Sequence, residues 1–234
     1  SIGESVMYSD KVDVGYLVPV NIFKLYDQYT SQYSINGGSN TQIFFQVSSR
    51  NQIPNTHFYL TFFIDEMRLG KIFDRVESRN QAAFTAGINK TDFLVNYLTL
   101  GLEYTRINPF VYNNLIPAQT YKNANSNLGD WMGSNADRFL VFLNYTPIPR
   151  CKINLTYQAV RKGAEGTLEQ QYNQQPQQPF LFGNVLSQKR VTAKVSYELL
   201  NKLNLFFNFS NVHSSYLSNT QKGSDLLIGF NYGL

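Results

Sequence analysis

From Leu94 to Arg106 the chain reads LVNYLTLGLEYTR, with Leu94, Leu98, Leu100, Leu102 and Tyr104 apolar and Thr99, Gly101, Glu103 and Thr105 set between them. A period of two is the signature of a β-strand, whose side chains point to opposite faces in turn. Similar runs recur at about 41–50, 56–68, 81–90, 138–147, 151–161, 188–199, 202–212 and 224–234, with 93–106 as the run quoted. A weaker candidate, 16–26, is interrupted by Pro19. Many of these runs exceed the usual strand of about five or six residues and match the roughly 9–11 that a tilted strand needs to cross a bilayer.

The spacing between the runs alternates. Short connections fall at 51–55, 91–92, 148–150 and 200–201, and long ones at 69–80, 107–137, 162–187 and 213–223. Tight turns on one edge and long loops on the other are expected of an outer-membrane barrel. With this phase the last strand, bearing Leu226, Ile228, Phe230, Tyr232 and Leu234 on one face, runs inward and leaves the C-terminus periplasmic. In 151–161, Ile153, Leu155, Tyr157 and Ala159 are expected to meet lipid, and Lys152, Asn154, Thr156 and Gln158 the lumen. A soluble sandwich shows the same alternation with the faces exchanged, so periodicity alone does not decide.

Composition does move the balance. The 234 residues include 16 Tyr and 18 Phe but only 15% charged residues, against about 25% in a typical soluble domain. Mean hydropathy is only -0.28, as expected when lumen-facing polar residues dilute lipid-facing ones. The expected fold is all-β: one transmembrane antiparallel up-and-down β-barrel domain over 1–234, with about ten strands here. Ten strands could close by themselves, but the ragged start leads us to expect the C-terminal part of a larger barrel of about 16–18 strands, or upstream strands on a separate piece. The opening SIGESVMYSDKVDVGY has neither the basic nor the apolar region of a signal peptide. The expectation is a removed signal or a longer chain.

Charge and motifs exclude several classes. The net charge of +4 is scattered, without the basic cluster of a nucleic-acid-binding surface. One cysteine, Cys151, and two distant histidines, His57 and His213, speak against a disulfide framework, a zinc site or metal catalysis. No G-x-S-x-G elbow, phosphate loop or supported carboxylate pair occurs. No cofactor and no enzymatic activity are expected.

Candidate chemistry gathers at the loop edge. The strand ends IDEMR and EYTR place Asp65, Glu66, Arg68, Glu103 and Arg106 near the external ends of neighbouring strands. Glu66, Arg68 and Arg106 share the lipid-facing register, so they must lie above the hydrocarbon band, where a midplane Arg costs about 2–4 kcal/mol. These charges form either a ring that binds polysaccharide or a salt-bridge network that fills the lumen. The loop 107–137 carries Phe110, Tyr112, Tyr121 and the only tryptophan, Trp131, among Asn, Gln and Asp. Aromatic rings beside amides and carboxylates suit sugars, whose C–H faces stack while their hydroxyls find donors and acceptors. The same loop would equally serve as a plug, with its aromatics as packing.

FYLTFFIDEMR, LGLEYTRINPFVYNN and LGDWMGSNADRFLVFLNY resemble the Wzi-like capsule-assembly outer-membrane proteins, particularly those of Bacteroidetes. The resemblance rests on about 56–147. It implies a monomeric barrel whose external surface retains capsular polysaccharide, and it points to Asp65, Glu66, Glu103, Arg106, Asp130, Asn135 and Asp137. Tyr112, Tyr121 and Trp131 join them as aromatic platforms. The implied partners are lipopolysaccharide, surface polysaccharide and other outer-membrane proteins, with no nucleic acid. Relatives among gliding and protein-export assemblies leave an accessory subunit as the alternative, and a porin as a second.

Overall fold

The computed structural model describes residues 1–9, 12–18, 21–33, 39–67, 69–71, 73–74, 76–124 and 126–233. Ten long strands form one antiparallel sheet: β1 (Ile2–Tyr8), β2 (Ser39–Arg50), β3 (Thr56–Glu66), β4 (Gln81–Lys90), β5 (Leu98–Ile107), β8 (Ala136–Ile148), β9 (Cys151–Lys162), β10 (Leu186–Leu200), β11 (Leu203–Tyr216) and β12 (Asn219–Tyr232). Between β5 and β8 lies a separate small ladder of β6 (Lys122–Asn123) and β7 (Ser126–Asn127). Each long strand pairs with its sequence neighbours in the sheet, so the topology is up-and-down. The sheet is open, with β1 and β12 as its edges.

Register carries the alternation across the sheet. Phe58, Ile88, Leu102, Val141, Tyr157 and Val191 lie side by side on six adjacent strands. Leu98, Tyr145, Ile153, Val195, Phe207 and Ile228 form a second such row. One residue along, the opposite face is polar, with Thr99, Asn144, Asn154, Lys194 and Asn208 in register. The apolar rows are not a protein core. Leu155 is 45% exposed and Ile228 70%, whereas a soluble sheet buries such a face.

What core there is sits on the other face, at the long-loop edge. Ala83, Ile107, Ala136 and Val160 project there from β4, β5, β8 and β9, and Val111, Tyr112 and Met132 of the β5–β8 loop pack on them. That loop therefore folds over the polar face instead of standing away from it. Every long connection (9–38, 67–80, 108–135 and 163–185) leaves from this edge, while 51–55, 91–97, 149–150 and 201–202 turn at the other. Among the described residues no helix is long and apolar enough to cross a membrane.

Three expectations need correction. The candidate strand 16–26 is instead a 3-10 turn, Val14–Leu17, followed by α1 (Phe23–Tyr33). The Glu4 carboxylate of β1 accepts from the Phe23 and Lys24 amides, at 2.8 and 3.3 Å. A negative group on the free N–H groups of a helix start favours helix there, and this contact is invisible in local sequence. Pro19, like Arg68, lies outside the described residues. The run 93–106 begins as a strand only at Leu98. Leu94 and Tyr97 take left-handed backbone conformations, with φ of 66° and 65°, and Asp92 accepts from the Tyr97 amide. Those two residues turn the chain, so the alternation there was accidental.

The long loop 213–223 does not exist. β11 and β12 continue through it and meet at a turn of Leu217 and Ser218. The segment HSSYLSNTQKGSD lost its apolar period without losing its pairing. A ladder needs only backbone groups, whereas the period needs an apolar phase on one side.

Candidate functional site

Asp65 organises the capped edge. A bulge between Ile64 and Glu66 takes it out of the β3–β4 ladder, and a bulge re-aims the extra side chain. Its carboxylate is 2% exposed. Oδ2 accepts from the Tyr112 amide at 2.7 Å, and Oδ1 from Asn40 Nδ2 and Gln42 Nε2 at 3.5 and 3.4 Å. Lys24 of α1 ties the same corner, donating to the carbonyls of Thr41 and Asp65, each at 2.7 Å. One carboxylate thus links β2, β3 and the plugging loop.

The loop beyond Tyr112 is held by its own rings. Tyr112 stacks on Tyr121, with centroids 5.9 Å apart, and both lie against Phe63. The Tyr112 hydroxyl accepts from the Asp130 amide at 3.1 Å. Burial pushes that hydroxyl up to about 12, so it stays protonated at any ordinary pH. Asp130 in turn accepts from the Met132 amide at 2.9 Å. Tyr112 and Tyr121 are packing, while Trp131, 61% exposed, is the ring left in the open.

Asn135 closes the second long loop. It is 1% exposed and has φ of 56°, a left-handed conformation that Asn tolerates better than most residues. Its Nδ2 donates to the carbonyls of Ala164 and Phe182 at 2.9 and 3.3 Å, and its Oδ1 accepts from the Leu181 amide at 2.7 Å. The 163–185 loop, with α2 (Leu168–Tyr172), is thereby sewn to the start of β8. Arg106 holds the same loop from outside, its guanidinium 3.9 Å from the Phe180 ring centre. Asp137, 3% exposed, accepts from Arg161 Nε at 3.0 Å and from the Tyr104 hydroxyl at 3.0 Å.

Glu103 belongs to neither cluster. It points to the polar face in mid-strand and not at a strand end, accepting from Arg138 Nη2 at 2.6 Å and from the Tyr59 hydroxyl. Tyr59 reaches it by crossing β4 at Gly87, where an added Cβ would stand 2.2 Å from the ring. For Glu103 the filling network describes the geometry. The ten sequence-selected residues thus separate. Asp65, Glu66 and Tyr112 converge at the cap, Arg106 and Asn135 fasten loop to wall, Asp137 ties β8 to β5 and β9, and Trp131 stands exposed.

The cap uses residues that motif reading passed over: Lys24, Asp27, Asn40, Gln42 and Gln81. Asp27 accepts from Tyr16, Ser39 and Thr41, and Gln81 donates to Glu66 at 3.1 Å. A polar side chain at the first or last turn of a period-two run was the available signal, since such positions lie beside the loop edge.

Two tests against known proteins return nothing: no curated protein and no solved structure matches the chain. A family model does match. Described as capsule assembly protein Wzi, it covers residues 38–225.

Proposed function

Because the chain belongs to the Wzi capsule assembly family, we propose that it is wall and outer cap of an outer-membrane β-barrel that holds polysaccharide at the cell surface. The observation that carries this reading is the exposed apolar belt backed by a polar face and capped at one edge only. Lipid accounts for the belt, and water and glycan for the capped edge. In this reading the open edges at β1 and β12 are completed by further strands, giving a barrel of about 16–18. The long loops face outside and the C-terminus lies in the periplasm. The role is binding, not catalysis.

The belt gives a direct test. Leu155→Arg in the apolar row is expected to lower stability in lipid vesicles by about 2–4 kcal/mol, measured by urea unfolding. Thr156→Arg, on the opposite face, is expected to change it little.

Beyond the belt, Lys189, His213 and Lys222 stand in cross-strand register on the belt's face. The two lysines, one on each side of His213, would suit phosphates of lipopolysaccharide. On the capped edge, Trp131 is the platform for glycan. Trp131→Ala is expected to reduce capsule held on cells several-fold with normal folding, since a base- or sugar-stacking ring contributes through its exposed face. Retention at the wild-type level would remove Trp131 from the role. The accessory-subunit reading predicts a stoichiometric protein partner on gentle extraction, and the porin reading predicts steady ion conductance. Neither has an observation here that favours it over glycan retention, and the folded-in loop opposes an open pore.

A further inference from the structure

The polar face of the sheet carries a recess at its short-turn end, away from the cap. A cavity of about 430 Å³ lies there across β8 to β11, lined by Asn144, Lys152, Asn154, Lys194, Phe206 and Asn208. Its volume is within the range of small-molecule sites. By register all six residues belong to the face opposite the apolar rows.

Three kinds of group meet in it. Lys152 stands opposite Ser196 on the neighbouring strand, and Lys194, two residues back, opposite Asn154. The lysines are therefore diagonal neighbours, near enough for two long side chains to reach one small anion. Both are exposed, and neither forms an ion pair or side-chain hydrogen bond among the described residues. The cavity lining holds no carboxylate. On the same face, Glu103 is taken up by Arg138, Glu198 accepts from the Lys202 amide at 3.4 Å, and Asp225 stands on β12, opposite Ser210. The amides are the second group. Asn154 donates to Asn144 Oδ1, which leaves the Asn144 Nδ2 and the Asn208 amide to offer donors and an acceptor to a ligand. Phe206 is the third. Its ring lies across the next strand on Gly229, where an added Cβ would stand 2.5 Å from Cζ. The glycine lets the ring lie along the wall, already placed for stacking.

The rest of this edge has the same character. A second cavity of about 430 Å³, towards β2, is lined by Arg50, His57, Asn89 and Thr99 among others, again without a carboxylate. Between the two, the Phe142 ring lies on Gly101 as Phe206 lies on Gly229, 2.2 Å from an added Cβ.

We propose that the Lys152–Lys194 cavity binds a carboxylate-bearing sugar of the surface glycan. The ammoniums take the carboxylate, the asparagines the hydroxyls, and Phe206 a C–H face. Resting on the glycan-holding reading, this adds the class of sugar and a second contact on the lumen wall, at the end opposite Trp131. A simple anion would use the lysines and leave ring and amides idle, so inorganic phosphate serves as a control.

The test is calorimetric titration of the full chain in lipid nanodiscs with three probes: trigalacturonate, maltotriose and inorganic phosphate. Trigalacturonate is expected to bind tenfold or more tighter than either of the others. Lys152→Gln combined with Lys194→Gln should weaken that binding tenfold or more, and Phe206→Leu severalfold. Arg190→Gln, which removes a charge from the same face outside the cavity, should change it little. The exposed lysine changes decide the matter alone if Phe206→Leu does not fold. Maltotriose or phosphate binding as tightly as trigalacturonate, no binding of trigalacturonate, wild-type affinity in a folded cavity variant, or an equal loss in Arg190→Gln would overturn the proposal. Cells separate the two levels. Capsule lost on deleting the gene, while the wild-type protein fails to bind trigalacturonate, sinks this site alone; capsule fully retained after deletion sinks the broader reading.

Discussion

Asp65→Ala is expected to raise the hydrogen-exchange rate of the Tyr112 amide by about a hundredfold or more. In the native fold that amide donates to Asp65 Oδ2 inside a fully buried corner. Removing the carboxylate strands three donors at once: the Tyr112 amide, Asn40 Nδ2 and Gln42 Nε2. Hydrogen bonds to a charged group contribute about 1.5–3 kcal/mol each, and a donor left buried and unpaired costs about 1–3. Water can enter the space left by the side chain, so about 3–5 kcal/mol of local stability is the expected loss. Asp65→Asn keeps one acceptor oxygen and should lie between. A Tyr112 amide that exchanges in Asp65→Ala as it does in the wild type would show that the carboxylate does not hold the plug.

The second large effect is expected at Asn135→Ala. Three hydrogen bonds to the 163–185 segment disappear, and the Leu181 amide loses its acceptor. Alanine must also take the left-handed conformation that Asn135 occupies, at about 1 kcal/mol or more. The combined cost is about 3–4 kcal/mol, concentrated in the loop because the ten-stranded ladder is untouched. Limited proteolysis of the intact protein should therefore cut within 163–185 many times faster, with the strands preserved. Asn135→Gly removes the same bonds without the conformational penalty, so it should be milder. Equal resistance of wild type and Asn135→Ala would mean that the Arg106–Phe180 contact and the Phe110–Phe182 stack hold the loop without it.

These two pins also show where sequence reading stops. The strand order, the two faces of each strand and the loop-rich edge follow from period-two alternation, because a pleated backbone forces it. Ile153, Leu155 and Tyr157 against Asn154 and Thr156 could be assigned without coordinates. The 16–26 error has a non-local cause, since Glu4 on β1 stabilises the start of α1. The missing 213–223 loop has another, since strands outlast their apolar phase once both sides are polar. Site residues divide similarly. Asp65 and Glu66 stand out as a carboxylate pair at a strand end, but the bulge that turns Asp65 under the loop is a matter of pairing. Tyr112 and Trp131 have the same apparent promise in sequence, and only packing buries one and frees the other. Gln81 looks like an ordinary first residue of a strand, and its bond to Glu66 appears only when the two strands are placed side by side.

The central claim is that the apolar belt faces lipid and its opposite face an aqueous lumen. Spin labels placed singly at 153 to 158, in a Cys151→Ser background and reconstituted in bilayers, test it through collision with oxygen and with a water-soluble nickel chelate. The account predicts that labels at 153, 155 and 157 favour oxygen and those at 154, 156 and 158 favour the chelate, in strict alternation. Labels at 153, 155 and 157 shielded from both reagents, with the even positions in bulk water, would mark a soluble core face and contradict it.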